Sequence, residues 1–246
     1  GIIQGLTEFL PISSSGHLVL AKYFMDINTP GVLIELMLHL GTLLSVIIFY
    51  KNDIIELVTD SFKNKYNSRQ YIYKIIIAII PAIIIGFLFR ELIESTFTIS
   101  VVKYMFLITG IVVGMTYFCN KEKNRELVLY SVIIIGLSQI FSLLPGISRS
   151  GITISTALLL GIKHEKAAKF SFFMAIPLIL GAALLPIFEG NILNNTSLFI
   201  LVIGFLSSFF TGILVIKWLL SIITKGKFYI FSIYCFFISM IIFLFI

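Results

Sequence analysis

Apolar and polar positions along this chain fall into long blocks rather than a short amphipathic period. Six apolar blocks, at 31–50, 71–90, 99–119, 166–188, 197–222 and 228–246, each reach about the 20 residues that a helix needs to cross a bilayer. Two further apolar regions are interrupted. Residues 1–24 are broken by Pro11 and Ser13-Ser14-Ser15, and residues 127–161 by Leu144-Pro145-Gly146-Ile147-Ser148-Arg149-Ser150-Gly151. Each half of a broken region has about ten residues, about 15 Å of helix, which crosses half a membrane. Both regions therefore read as re-entrant pairs of half-helices with a polar tip. Such a tip is tolerated in lipid only where protein wraps it or it lines a wet cavity. The predicted fold is an all-α polytopic membrane protein, a single integral membrane domain over 1–246. It has six full transmembrane helices and two re-entrant helix–loop–helix pairs.

Composition excludes a soluble domain. Hydrophobic residues make up 59% of the chain and charged residues 12%, against about 25% charged in ordinary soluble domains. Mean hydropathy is +1.07. The placement of the net charge of +6 says more than its size. The predicted topology puts Lys51, Lys63, Lys65, Arg69, Lys74, Lys121, Lys123, Arg125, Lys163, Lys166, Lys169, Lys217, Lys225 and Lys227 on one side. Only Lys22, Arg90 and Lys103 fall on the other. Fourteen against three is a strong positive-inside bias, and it places both termini outside. A basic inner face needs no nucleic-acid partner to explain it; a solvated surface facing anionic membrane lipid is the default. Cys119 and Cys235 lie in apolar segments, and His164 sits among lysines as an expected solvated loop residue.

The two broken regions are related to each other. A shift of 135 residues aligns Gly1 with Gly136, Gln4 with Gln139, Thr7 with Ser142, Ile12 with Ile147, Ser13 with Ser148, Ser15 with Ser150 and Gly16 with Gly151. Three spans follow each break. Because three is odd, the second copy is expected upside down, giving an inverted-topology repeat of about 1–120 and 121–246. The two tips then meet from opposite sides. Half-helices beginning after Ser13 and Ser148 would point unpaired backbone N–H groups at one shared spot, which suits an anion.

The residue types at that spot carry the candidate chemistry. Arg149 is costly at membrane depth, and its planar fork matches phosphate; the alternative is an ion pair with Glu8 that only joins the repeats. Gln4 and Glu8 lie four apart on one helix face, where their oxygens can hold Mg²⁺ or Ca²⁺; the alternative is a pair hydrogen-bonded to each other. Ser14 and His17 lie three apart, so a hydroxyl nucleophile with a base in reach is expected. Ser13 and Ser15 crowd the same tip. Ser148, Ser150 and Thr153 are candidate phosphate-oxygen donors, and Gly146 allows close backbone approach. Glu35 and His39 are candidates to line the cavity.

The two polar stretches resemble the bacterial undecaprenyl-pyrophosphate phosphatase family of the BacA type. Its (E/Q)xxxE motif running into a Ser-rich Gly-His segment is matched by Gln4 to His17. Its PGxSRSxxT motif is matched by Pro145 to Thr153. The resemblance covers essentially the whole chain. It implies an enzyme of the bacterial plasma membrane, with its site facing outside, that removes the terminal phosphate of the C55 prenyl diphosphate. That reaction regenerates the lipid carrier of peptidoglycan synthesis, and the family needs a divalent cation. By this resemblance Glu8 is the essential acid, as metal ligand or base, and Ser14 the nucleophile. His17 is its proton partner, Arg149 clamps the diphosphate, and Ser13, Ser148, Ser150 and Thr153 support the phosphates. Serine attack and attack by metal-held water both remain open, as does association as a homodimer.

Two other classes compete with an enzyme. Broken helices in inverted repeats also build transporters and flippases for phosphate-bearing lipids or anions, and a structural membrane subunit is the third reading. A carrier has no use for a nucleophile, so the hydroxyl and imidazole favour chemistry. A second class of lipid phosphatase also uses Ser-Gly-His and Ser-Arg pieces, but it needs an Arg-Pro pair, which this chain lacks.

Overall fold

The computed structural model of the protein describes residues 1–26, 32–119, 125–188 and 197–245. Regular structure among them is helical. The helices run α1 (Ile2–Thr7), α2 (Ser14–Phe24), α3 (Val32–Phe49), α4 (Lys51–Phe62), α5 (Tyr66–Leu88), α6 (Arg90–Ser95) and α7 (Ile99–Gly114). They continue as α8 (Leu129–Ile140), α9 (Arg149–Leu159), α10 (His164–Phe188), α11 (Leu198–Thr224) and α12 (Phe231–Phe245). Five segments are long and apolar enough to cross a bilayer: α5, α7 with its following turn, α10, α11, and α12 with its preceding turn. A sixth candidate is α3 with α4, bent by 74° between them. Large apolar side chains such as Ile84, Phe87, Leu214 and Phe237 stand exposed along these helices, as a lipid-facing surface requires. The chain is a multi-pass membrane protein.

Three features depart from the sequence reading. The basic segment after the first span, left there as a connection, forms α4, with Ile55, Val58 and Phe62 exposed. The second is α6, a short helix within the link that follows α5. His164, expected to be solvated, begins α10 and is buried. Several of the basic residues meet at one end of the bundle. Lys169 on α10 pairs with Asp53 on α4, and Lys166 on α10 with Glu126, 2.6 Å apart. Lys121 and Lys123 lie outside the described residues.

Both broken regions form two short helices with a non-helical tip, α1 and α2 around residues 8–13, and α8 and α9 around residues 144–148. The first half-helix of each packs against a long helix from the other half of the chain: α1 on α11, and α8 on α5. Glycine makes both contacts possible. A Cβ on Gly5 would sit 2.7 Å from the Ser208 carbonyl, and one on Gly136 2.6 Å from the Ala78 carbonyl. Small residues that let backbones approach are how helices pack without a hydrophobic driving force. Two further pairs, α3 with α10 and α7 with α12, complete the frame around the tips.

Candidate active site

The two tips touch. A Cβ on Gly16 would lie 3.0 Å from the Gly146 Cα, and one on Gly151 would lie 3.3 Å from the Pro11 Cβ. Under the 135-residue shift, Gly16 corresponds to Gly151 and Pro11 to Gly146, so these are the same contact made twice. Gly146 also needs its residue type, because its φ of +98° suits glycine.

The same serine cap opens both second half-helices. Ser13 Oγ accepts from Gly16 N at 3.2 Å and Ser148 Oγ from Gly151 N at 3.0 Å. Each capping hydroxyl also meets the serine two residues on, Ser15 at 3.2 Å and Ser150 at 3.1 Å. Ser13 reaches this geometry with φ +67°, a left-handed conformation that non-glycine residues rarely adopt. The N-terminal residues of α2 and α9 border one region.

Glu8 sits in that region, buried at the C-terminal end of α1. Its Oε1 pairs with Arg149 Nη2 from the other tip. Its Oε2 accepts from Ser14 Oγ at 2.6 Å and from Gln4 Nε2 at 3.0 Å. His39 Nε2 lies 3.9 Å from the same oxygen. The His39 Nδ1 is 2.8 Å from the Glu35 carbonyl, which can only accept, so Nδ1 carries a proton and Nε2 is the ring nitrogen turned toward Glu8.

These groups stand in the wall of a cavity of about 670 Å³. Glu8, Ser13, Ser14, Ser15, Ser148, Arg149, Glu35 and His39 supply much of its polar wall, while α5 and α10 supply an apolar side through residues such as Ala82, Ile83, Pro177 and Leu178. At the α2–α3 side Glu35 is paired with Lys22. A polar pole facing apolar walls suits an amphiphile with a charged head.

The structure brings most of the sequence candidates together and sets others one layer back. Gln4 lies behind Glu8, fully buried, with its Oε1 lacking a partner among the described residues. Ser150 donates to the Leu10 carbonyl at 3.1 Å. Thr153 donates to the Arg149 carbonyl at 2.7 Å and meets Ser171 Oγ at 2.7 Å. Gly146 accepts from Thr109 through its carbonyl at 2.8 Å. Ser150, Thr153 and Gly146 hold the tips in place rather than face the cavity. His17 differs most from the pairing expected of it. Its Nδ1 bonds the Ser13 carbonyl at 2.7 Å, and its Nε2 meets the Tyr234 hydroxyl at 2.7 Å with the two rings stacked. The imidazole thus turns toward α12, and the base within reach of Ser14 is Glu8. Sequence reasoning passed over Tyr234, which has no local motif, and Gln139, which the repeat alignment did mark.

A divalent cation can be tested against this donor set. Among the described residues no cluster of three His, Cys, Asp or Glu side chains exists. One carboxylate and one unpartnered amide oxygen do stand together at Glu8 and Gln4. That set is too small to cage an ion but fits Mg²⁺, which takes one or two carboxylates and completes its shell with water and substrate phosphate oxygens.

A membrane bundle that gathers a carboxylate, a guanidinium, hydroxyls and two helix N-termini at the polar pole of one cavity has the form of a membrane-embedded anhydride- or ester-handling protein. Comparison with known proteins places it more closely. Residues 1–241 match the family model described as bacitracin resistance protein BacA, and the chain belongs to that family. It is 41% identical to the undecaprenyl-diphosphatase of Christiangramia forsetii over 98% of this chain and 93% of that protein. The undecaprenyl-diphosphatase of Thermosipho africanus is 42% identical over 99% of this chain and 96% of its own length. That of Methanococcus vannielii is 40% identical over 100% and 98%.

Proposed function

We propose that this protein hydrolyses undecaprenyl diphosphate to the monophosphate and inorganic phosphate, recycling the lipid carrier of peptidoglycan synthesis. The observation that carries the reading is Glu8 gripping both Ser14 and Arg149 at the polar pole of a cavity with apolar walls. The names of the relatives agree with it. The prenyl chain lies along α5 and α10, and the diphosphate reaches the paired helix ends.

In the proposed reaction Arg149 and the amides at the starts of α2 and α9 bind the diphosphate and stabilise charge as the terminal phosphoryl group transfers. Glu8 Oε2 takes the Ser14 proton as Ser14 Oγ bonds to the terminal phosphorus. The bridging P–O bond breaks and prenyl monophosphate leaves. Water then cleaves the phosphoserine and releases phosphate. His39, with Nε2 toward Glu8, is placed to pass a proton in that second step. His17 acts through Ser13, whose carbonyl it holds. Glu8 and the Gln4 Oε1 would hold a divalent cation, whose chemistry would be positive charge against the diphosphate oxygens.

The architecture we propose is six spans and two re-entrant pairs in one domain, related as an inverted repeat of about 1–120 and 121–246. It is supported by the twice-made tip contact, the matching serine caps, and the equivalent packing of α1 on α11 and α8 on α5. The charge bias of the sequence favours a cavity opening to the outer face of a bacterial plasma membrane.

Phosphate release from a prenyl diphosphate by detergent-purified protein tests the function. No gradient exists there, so a pure carrier is silent. Release is expected from the wild type and expected to stop with EDTA and return with Mg²⁺ or Ca²⁺. Glu8→Ala and Arg149→Ala are each expected to lose at least about 100-fold. A silent wild type, or near-normal activity in both variants, overturns the proposal.

A further inference from the structure

Gln139 lies at the C-terminal end of α8, in the wall of the cavity, and is 1% exposed. Neither its Nε2 nor its Oε1 has a hydrogen-bond partner among the described residues. A buried amide left wholly unpaired is unusual in a folded protein, where the large majority of buried polar atoms are satisfied. Ser142 beside it does not help, because its hydroxyl bonds the Gln139 backbone carbonyl at 2.7 Å.

The repeat explains how this amide comes to be unpaired. Gln139 aligns with Gln4, and Gln4 Nε2 donates to the carboxylate four residues on, Glu8 Oε2, at 3.0 Å. The residue four after Gln139 is Leu143, which also lines the cavity. The second half keeps the amide and has no acceptor where the first half has a carboxylate. An anionic oxygen from a ligand is the group that restores the pairing. On the same wall stand Ser148 and Arg149, so such an oxygen would lie within the site already described.

We infer that Gln139 is a direct diphosphate contact, its Nε2 donating to a phosphate oxygen of the bound lipid in the way that Gln4 Nε2 donates to Glu8. Its Oε1 remains free to accept from a water molecule on that phosphate. This inference rests on the proposed reaction, and it adds a substrate-binding residue on α8 that neither sequence motif contains.

The test uses the full-length protein in detergent and two variants. Gln139→Leu removes both amide groups at similar size. Gln139→Glu keeps an acceptor and removes the donor. A methylene-bridged prenyl diphosphonate, which cannot be cleaved, serves as the binding probe, read by its shift of the thermal unfolding midpoint; kcat and KM are measured on the diphosphate. Without probe, Gln139→Leu is expected to unfold at or above the wild-type temperature, because it removes an unpaired buried amide. With probe, both variants are expected to lose most of the stabilising shift. Their kcat/KM is expected to fall by about tenfold to a hundredfold, the scale of one hydrogen bond to a charged group. A wild-type shift retained in full by both variants overturns the inference while leaving the phosphatase reading in place. So does a Gln139→Leu protein that unfolds well below the wild type, since the amide then has a structural partner. A wild type that neither shifts with the diphosphonate nor releases phosphate overturns the phosphatase reading itself, and this inference with it.

Discussion

The pairing of Glu8 with Arg149 joins the two tips, and two roles for it can be separated by experiment. Either it is glue, or its charges act on substrate. Arg149→Met removes the guanidinium and leaves a carboxylate whose side chain is only 5% exposed. Deleting one partner of a buried ion pair costs about 3–5 kcal/mol, because the remaining charge stays desolvated. Ser14 and Gln4 still donate to Glu8 Oε2 in this variant, so the lower part of that range, about 3 kcal/mol, is expected here. The double variant Glu8→Gln with Arg149→Met removes both charges. The new amide keeps an oxygen for Ser14 and Gln4, so most of the lost stability is expected to return. Glu8→Gln alone leaves the guanidinium unpaired and costs stability too, so a coupling of at least about 3 kcal/mol between the two sites is expected once all three variants are compared.

Activity separates the roles. If the pair only holds the tips together, the double variant recovers activity along with stability. If the charges act on the diphosphate, the single variant loses at least about 100-fold and the double variant stays as inactive while its stability recovers. Unfolding can be followed in detergent by the fluorescence of Trp218, the chain's one tryptophan, which packs edge-on against Phe231 on α12. Phosphate release gives the rate. A double variant within tenfold of wild-type activity refutes the catalytic role of the charges. An Arg149→Met protein that unfolds at the wild-type temperature refutes the buried-pair estimate.

Further predictions follow from the geometry around the tips. Tyr234→Phe deletes the hydroxyl that meets His17 and leaves the stacked ring in place. The expected result is a drop of about threefold to tenfold in kcat with KM unchanged, the scale of one neutral hydrogen bond. A rise in KM at constant kcat would instead put Tyr234 at the substrate. Gly146→Ala places a Cβ 2.9 Å from the Val102 carbonyl at a φ of +98°, and should destabilise by at least about 2 kcal/mol. Gly86→Ala, whose nearest neighbour is 3.6 Å away, should leave the unfolding temperature within the error of a surface substitution. Equal effects from the two glycines would show that the tips do not pack as described.

Much of this architecture was legible in the chain because lipid imposes block lengths. The blocks at 71–90, 99–119 and 197–222 correspond to α5, α7 with its turn, and α11, with ends that differ by a few residues. The breaks were legible because Pro11 stands with Ser13-Ser14-Ser15, and Pro145 with Gly146 and Ser148-Arg149-Ser150, whereas Pro81 in an apolar setting leaves α5 continuous. What escaped was of two kinds. Helix α4 carries a mixed pattern of Lys, Asp, Glu, Ile and Phe that hydropathy alone reads as a connection. The direction of single side chains also escaped. Spacing puts Ser14 and His17 on one helical face, but the Ser13 carbonyl and the Tyr234 hydroxyl of α12 take both ring nitrogens of the imidazole. Tyr234 is 217 residues from His17, and no local pattern announces such a partner.

Broken helices present free backbone groups, and here the serines of the second tip and side chains of α7 and α12 close three of them. The Leu10 carbonyl accepts from Ser150, the Pro11 carbonyl from Cys235 at 3.5 Å, and the Gly146 carbonyl from Thr109. Pro11 and Gly146 are aligned positions, so each tip is held by a late helix of the other half, α12 or α7. On this frame the chemistry differs position by position. Ser14 aligns with Arg149, and both bond the single carboxylate of Glu8, whose own counterpart is Leu143. A symmetrical set of two carboxylates and two hydroxyls would repel a diphosphate, and two guanidiniums would bind one without offering a nucleophile. In the reaction proposed above, one acid, one hydroxyl and one guanidinium would provide a proton acceptor, an attacking oxygen and a charge clamp within one contact shell. The reaction thus depends on the places where the halves differ, and the stability of the tips on the places where they agree.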